Sequence, residues 1–189
     1  MNFKNLNIIG GGPNSVYALE ILLKKILTKQ KKQKGIIRIF ERSGFIGCGK
    51  THSKKLNKKI LLNRVAGQIS LGSFPFNKFP SYLKKYDYNF MEWKNAQKIR
   101  NINTLKSTDW PSRYIFGLAL EQKFLDILKI YANYTNIEIE IYFDNVISIN
   151  KFKNHFEIRS SNNRKFFADK ILVVTGNYIS SNRSTTLNK

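Results

Sequence analysis

The stretch Leu6-Asn7-Ile8-Ile9-Gly10-Gly11-Gly12-Pro13-Asn14-Ser15-Val16 decides how the fold is read. A short apolar strand runs straight into three glycines, and Pro13 opens a helical pattern. Proline suits a first helical position, because its φ is already helical and the N–H it lacks would have no partner there. Val16, Leu19, Leu22, Leu23, Ile26 and Leu27 then recur at spacings of three and four, which gives one apolar face able to lie on a sheet. Lys24, Lys25 and the basic run Lys29 to Lys34 fall on the wet side. Gly35 reads as the helix stop and Ile36-Ile37-Arg38-Ile39-Phe40-Glu41 as a second strand, closing a βαβ unit.

A βα turn of this kind suits a pyrophosphate. Glycine lets the backbone approach the ligand, while the helix aims its unpaired N–H groups and partial positive charge at the phosphates. Gly10 and Gly12 match the first two glycines of G-x-G-x-x-G; the third position is Ser15, small but not glycine. Glu41 ends the second strand, where an acid accepts hydrogen bonds from the adenosine ribose and repels a 2′-phosphate, so FAD or NAD is preferred to NADP. The candidate cofactor contacts are therefore Gly10, Gly11, Gly12, Pro13, Asn14, Ser15 and Glu41, flanked by Arg42 and Lys50.

A second phosphate motif competes. Gly44-Phe45-Ile46-Gly47-Cys48-Gly49-Lys50-Thr51 matches G-x-x-x-x-G-K-[ST], the P-loop of nucleoside triphosphatases. A P-loop needs a buried strand feeding its first glycine and an acid ending a later apolar strand. Here Glu41-Arg42-Ser43 intervenes, and the best later strand, Ile171 to Val174, ends in Thr175-Gly176. The dinucleotide turn is the stronger reading.

Residues 42–108 are broken by Gly44, Gly47, Gly49, Gly67, Gly72, Pro75 and Pro80 and read as a long irregular insertion. The aromatics Phe74, Phe76, Phe79 and Tyr82 argue for packing in its first half, and Lys94 to Ser107 reads as more mobile. A second helix starts near Trp110-Pro111, with Pro111 in its first turn, and carries Ile115, Ala119, Phe124, Leu125, Leu128 and Tyr131 towards a core. Ile137, Ile139 and Ile141 alternate with polar residues in a half-buried strand that continues through Val146 to Ile149 after an irregularity at Asp144-Asn145. With the segments around Phe156 and Phe166, residues 144–169 form a small antiparallel meander. Ile171 to Val174 is a continuous apolar run, as in a strand covered on both faces. The tail 180–189 is polar enough to fray. The fold expected is α/β and Rossmann-like: a single domain over 1–189, with a parallel sheet, the long insertion and the inserted meander.

The formal charge of +21, from 33 basic and 12 acidic residues, could attract nucleic acid or an anionic membrane. Most of the excess is lysine in a chain also crowded with Asn, Ile, Phe and Tyr, so it reads as solvated surface, with no specific nucleic-acid partner and no membrane partner. No run approaches a membrane span, the first residues lack the apolar core of a signal peptide, and the single cysteine, Cys48, excludes an intrachain disulfide; a cytoplasmic location is expected. Cys48 reads as a packed small residue, His52 as a turn residue and His155 as exposed. No metal site and no catalytic set can be assigned from these spacings.

Several blocks together resemble one family: Ile8 to Pro13; Phe40-Glu41 with Gly47-Cys48-Gly49-Lys50-Thr51-His52-Ser53; Leu61-Leu62-Asn63 with Ala66-Gly67-Gln68-Ile69-Ser70; and Trp110-Pro111-Ser112-Arg113 with Phe116-Gly117. This is the FAD/NAD(P)-binding domain similar to that of FAD-dependent urate hydroxylase and aspartate N-monooxygenase. The resemblance implies a flavoprotein with FAD bound, NAD(P)H as its reductant at a site not identified, and backbone near Val146 beside the adenine. It also implies that the Asn63 to Ser70 loop, with Asn63 and Gln68, approaches the flavin, and that Gly176 ends the last strand of the cofactor site. Similar proteins continue well past this point, so an FAD-binding part of an oxidoreductase or monooxygenase-like protein, truncated before its nicotinamide-binding half, is expected. The alternatives are a P-loop protein using Gly44 to Thr51 and a non-catalytic basic binding protein.

Overall fold

A computed structural model describes residues 3–28, 33–72 and 79–176. Strand β1 (Asn5–Ile9) leads through the glycine turn into helix α1 (Pro13–Leu27), and β2 (Lys34–Phe40) follows. The long insertion then supplies three short 3₁₀ turns and the small helices α2 (Phe90–Asn95) and α3 (Arg100–Asn103). Helix α4 (Arg113–Tyr134) returns to the sheet, followed by β3 (Asn136–Tyr142), β4 (Val146–Lys151), β5 (Phe156–Ser160), β6 (Lys165–Ala168) and β7 (Lys170–Val173).

Strands β3-β2-β1-β7 form a four-stranded parallel sheet in that order, and β4-β5-β6 form a separate antiparallel sheet. Alternation along β1 sorts the layers. Leu6 and Ile8 join Ile37, Ile39 and Ile137 beneath the apolar faces of α1 and α4, whereas Ile9 and Phe40 pack beneath Ile158 and Phe166 of the meander. The sheet is thus covered by helices on one face and by the meander on the other, with the glycine turn at the carboxyl ends of the strands.

The βαβ unit and the meander match expectation, with differences that have physical causes. Gly35 lies inside β2 and does not stop the helix. α1 ends at Leu27, and a Cβ on Gly35 would press into the carbonyl of Lys4. Pro111 precedes α4 by two residues, and Ser112 caps the helix by accepting from the Ile115 N–H. The expected continuous strand 137–149 is two strands, because the chain leaves the parallel sheet at Phe143 and enters the meander at Val146. Among the described residues β7 is an edge strand and not covered on both faces; Val173 is 57% exposed. Leu125 also points outwards. Residues 94–107 carry α3 and bury Ile102, with Lys94 Nζ donating to Leu105 O at 2.6 Å. Residues 73–78, most of the basic run after Thr28, and the tail 180–189 lie outside the described residues.

Lys24 is the clearest reversal. It is buried, and α1 and α4 are joined by charge as well as by apolar packing: Glu20 pairs with Lys24 at 3.1 Å and with Lys123 of α4 at 3.0 Å, and Lys24 reaches Asp87 at 3.1 Å. Lys123 is 1% exposed. Burial pulls its pKa below the usual lysine value while Glu20 pulls it back. Both ammonium groups also sit over the Phe79 ring. Removing one member of such a cluster strands a charge in the interior, so Lys123→Met is expected to cost about 3–5 kcal/mol in urea unfolding. The double variant Glu20→Gln/Lys123→Met leaves the Lys24–Asp87 pair balanced and is expected to recover part of that loss.

Candidate dinucleotide site

Each residue of the bend has a separate task. Gly10 takes φ +105°, a left-handed conformation, and a Cβ there would lie 2.5 Å from Val174 O, so the bend is wedged against the end of β7. Its N–H donates to Phe40 O at 2.8 Å. A Cβ on Gly11 would meet the Glu41 Cβ at 2.8 Å. Gly12 differs, with an ordinary φ of −81° and room for a Cβ at 3.6 Å from Gly49 Cα.

The start of α1 presents donors. Pro13 has no N–H, and Ser15 N–H is returned to Gly12 O at 3.0 Å. Among the described residues the N–H groups of Gly12 and Asn14 have no partner. No acidic residue sits in the first turn of α1; the one carboxylate at its amino end, Glu41, is engaged by the Gly11 N–H just before the helix. Ser15, in place of the third glycine, is fully buried and its Oγ donates to Gly12 O at 2.6 Å. A polar side chain is accommodated there because it finds a partner inside the turn.

Glu41 stands at the turn, as expected, but its carboxylate is already committed. Oε2 accepts the Gly11 N–H at 2.8 Å, and Oε1 accepts the Ser43 N–H at 2.7 Å and the Ser43 hydroxyl. A carboxylate offers about four acceptor sites, so about one remains. The acid is first a clamp that holds the bend to β2.

The segment carrying the P-loop pattern forms the second wall of the same turn. Gly47 N–H donates to Gly11 O at 2.6 Å, and Gly49 lies against Gly12 and Pro13. Strand β2 ends at Phe40, four residues before Gly44, and only the 3₁₀ turn Lys50–His52 follows the glycines. That is not the strand–loop–helix order a P-loop needs. Sequence reasoning gave this loop no structural task; its glycine spacing beside an apolar helix face, Leu120 and Phe124, is the signal it carries.

Cys48 lies buried in that wall, its thiol donating to Glu121 at 3.4 Å. Burial, followed by the Glu121 hydrogen bond, pushes the thiol up to about 12, so it is protonated at neutral pH and no nucleophile. Burial, followed by the Arg113 charge, takes His52 down to about 4; the imidazole is neutral, set edge-on to Phe116. His52 Nδ1 and Arg113 Nε are buried without hydrogen-bond partners among the described residues.

The structure brings several other candidates to the turn. Lys50 is exposed directly after Gly49. Gly176, with φ +73°, follows the Val174–Thr175 backbone that touches Gly10. Val146 packs against the cluster of Ile9 and Phe40. Arg42 is exposed beside Glu41. Asn63 and Gln68 are exposed farther along the insertion, where Leu62 and Ala66 belong to the second core cluster with Cys48. No group of three metal-ligating side chains occurs among the described residues.

A protein-family model described as FAD-NAD(P)-binding matches residues 7–178. No curated protein matches the sequence. Among solved structures, a flavin-containing monooxygenase from Stenotrophomonas maltophilia superposes with a TM-score of 0.54 at 14% identity, over 93% of this chain and 39% of that one. Tmm from a Pelagibacter strain gives 0.54 at 18% identity, over 93% and 38%, and a cyclohexanone monooxygenase gives 0.51 at 13% identity, over 95% and 29%. These likenesses establish a shared fold, and this chain spans at most 39% of the length of those three proteins.

The turn geometry orders the glycines. Gly10→Ala combines a forbidden φ with a backbone clash and is expected to destabilise the fold by roughly 2 kcal/mol or more. Gly12→Ala is expected to change stability by less than about 1 kcal/mol. Urea midpoints of the two variants check this, and equal losses would contradict the assigned roles.

Proposed function

Because the chain belongs to the FAD-NAD(P)-binding family, we propose that it holds FAD across the Gly10–Ser15 turn, as the FAD-binding part of a flavin-dependent oxidoreductase. The observation that carries this reading is the pair of unpartnered N–H groups, Gly12 and Asn14, at a helix start with no acid in its first turn. A diphosphate satisfies both donors and brings the negative charge that the helix end favours. The fit extends to the walls of the turn, where Gly10 and Gly11 leave no space for side chains.

In this reading Glu41 keeps the bend in its donor-presenting shape, and its remaining acceptor site takes a ribose hydroxyl. The same negative charge disfavours a 2′-phosphate, so FAD fits better than NADP here. Backbone at Val146 lies beside the adenine, and Lys50 adds a solvent-exposed cation near the phosphates. Asn63 and Gln68 belong to the flavin side, and Gly176 lets the chain pass the cofactor after β7. Arg42 contributes at the ribose end. Bound FAD supplies hydride and oxygen chemistry, with NAD(P)H as reductant; the protein orients it and excludes water. Monooxygenase-like activity belongs to the same proposal. So does the likeness of the Gly47–Ser53, Ala66–Ser70 and Trp110–Arg113 blocks to FAD-dependent urate hydroxylase and aspartate N-monooxygenase.

FAD titration followed by flavin fluorescence tests the assignment. Glu41→Gln replaces one acceptor oxygen by an N–H donor facing Gly11 or Ser43, and is expected to weaken FAD binding at least about tenfold, or ~1.4 kcal/mol. Lys50→Ala is expected to weaken it no more than about threefold, since an exposed charge is screened. Tight binding of ATP with magnesium, lost in Lys50→Ala and kept in Glu41→Gln, would reject the proposal in favour of the P-loop reading.

A further inference from the structure

From Gly49 to Gln68 the chain carries Lys50, Lys54, Lys55, Lys58, Lys59 and Arg64 and no Asp or Glu. The fold adds what the sequence hides. Residues 60–67 run beside residues 107–113, with Arg113 N–H donating to Ile60 O at 2.8 Å and Leu62 N–H to Pro111 O at 2.9 Å. This ribbon leaves three large apolar side chains open to water: Ile60 at 43%, Leu61 at 53% and Trp110 at 51%. The bridge between Leu61 and Ser112 places Leu61 across the ribbon from the Trp110 segment.

The nearby acids do not balance these cations. Glu121 is engaged by Lys54 at 2.8 Å, and Asp109 turns back to accept the Lys106 N–H at 2.7 Å. Among the described residues no carboxylate pairs with Lys55, Lys58, Lys59 or Arg64. Lys55 and Lys58 lie over the rings of Phe45 and Tyr114, so their stems cover aromatic surface while both residues stay exposed.

Three partners suit a cationic face, and the residue types distinguish them. Protein interfaces are depleted in lysine, yet five of the six cations in this segment are lysines. Single-stranded nucleic acid needs successive aromatic platforms, and Trp110 is the one large exposed aromatic ring on this ribbon. Exposed tryptophan and branched aliphatics on a ribbon that follows directly on a lysine run are the composition of a surface that sits at the headgroup level of an anionic bilayer. We propose that the exposed ribbon carrying Ile60, Leu61 and Trp110, together with the preceding Lys55, Lys58 and Lys59, docks peripherally on an anionic membrane. No described helix is long and apolar enough to cross one, so the contact is with the surface. This inference uses none of the cofactor contacts, although Asn63 of the same ribbon is placed on the flavin side, and it is tested without added FAD.

The test uses the full 189-residue chain and sedimentation with vesicles of phosphatidylcholine, alone or with about one-third phosphatidylglycerol. Binding is expected only to the anionic vesicles, falling as salt rises, with a blue shift of tryptophan emission that is absent in Trp110→Phe. Trp93 is buried and keeps its emission. Lys58→Glu/Lys59→Glu is expected to lower partitioning at least about tenfold, and Leu61→Ser about threefold or more. Lys151→Glu/Lys153→Glu, an equal charge reversal on the meander, is expected to leave it within about twofold. Equal losses in the two charge-reversed variants would assign binding to net charge and overturn the proposal. So would an unshifted Trp110, equal binding to neutral vesicles, or tighter binding to a single-stranded polynucleotide at the same salt.

Discussion

The structure depends on one bend held from three sides. Gly10 can turn only because it lacks a side chain beside the Val174 carbonyl, Gly11 is gripped by the Glu41 carboxylate, and Gly12 lies against Gly49. Those contacts come from β7, from the end of β2 and from the loop after it. The aim of α1 is therefore fixed by parts of the chain up to about 160 residues apart, more firmly than by its own sequence. A helix start with unpartnered N–H groups open to solvent is favourable beside an anion, which is the task proposed for this bend.

Glu41 serves the fold first, and on the proposed reading the ligand second. Its two oxygens already receive three hydrogen bonds from the chain, which shapes the turn before any cofactor arrives. Preorganisation of this kind lowers the ordering cost of binding. The buried Glu20–Lys24–Lys123–Asp87 cluster works at longer range, holding α1 to α4 and to the segment after residue 79. Apolar packing alone would let the helix slide on the sheet; a buried ion cluster has far fewer acceptable registers.

Legibility in the sequence followed the range of the interactions. The strand, the glycine turn, the apolar stripe of α1 and the acid after β2 are local patterns, and each lies where periodicity puts it. The meander was legible from its turns. Lys24 was misread as solvated because Asp87, which it pairs with, and Lys123, with which it shares Glu20, are distant in sequence. The edge position of β7 was hidden because an apolar tetrapeptide looks the same at an edge and in the middle of a sheet. Gly47 and Gly49 resemble a P-loop in spacing, yet they serve close packing against the true turn. The segments of Ile60-Leu61 and Trp110 come side by side only through the ribbon pairing, which no local pattern announces.

The central claim is that the amide groups at the start of α1 face a diphosphate. Amide proton–nitrogen NMR spectra of the chain, recorded during FAD addition, test it directly. The account predicts that the Gly12 and Asn14 amides shift most strongly and become protected from exchange, while amides of the meander edge at Lys151 stay put. FAD binding that leaves Gly12 and Asn14 unmoved would contradict it.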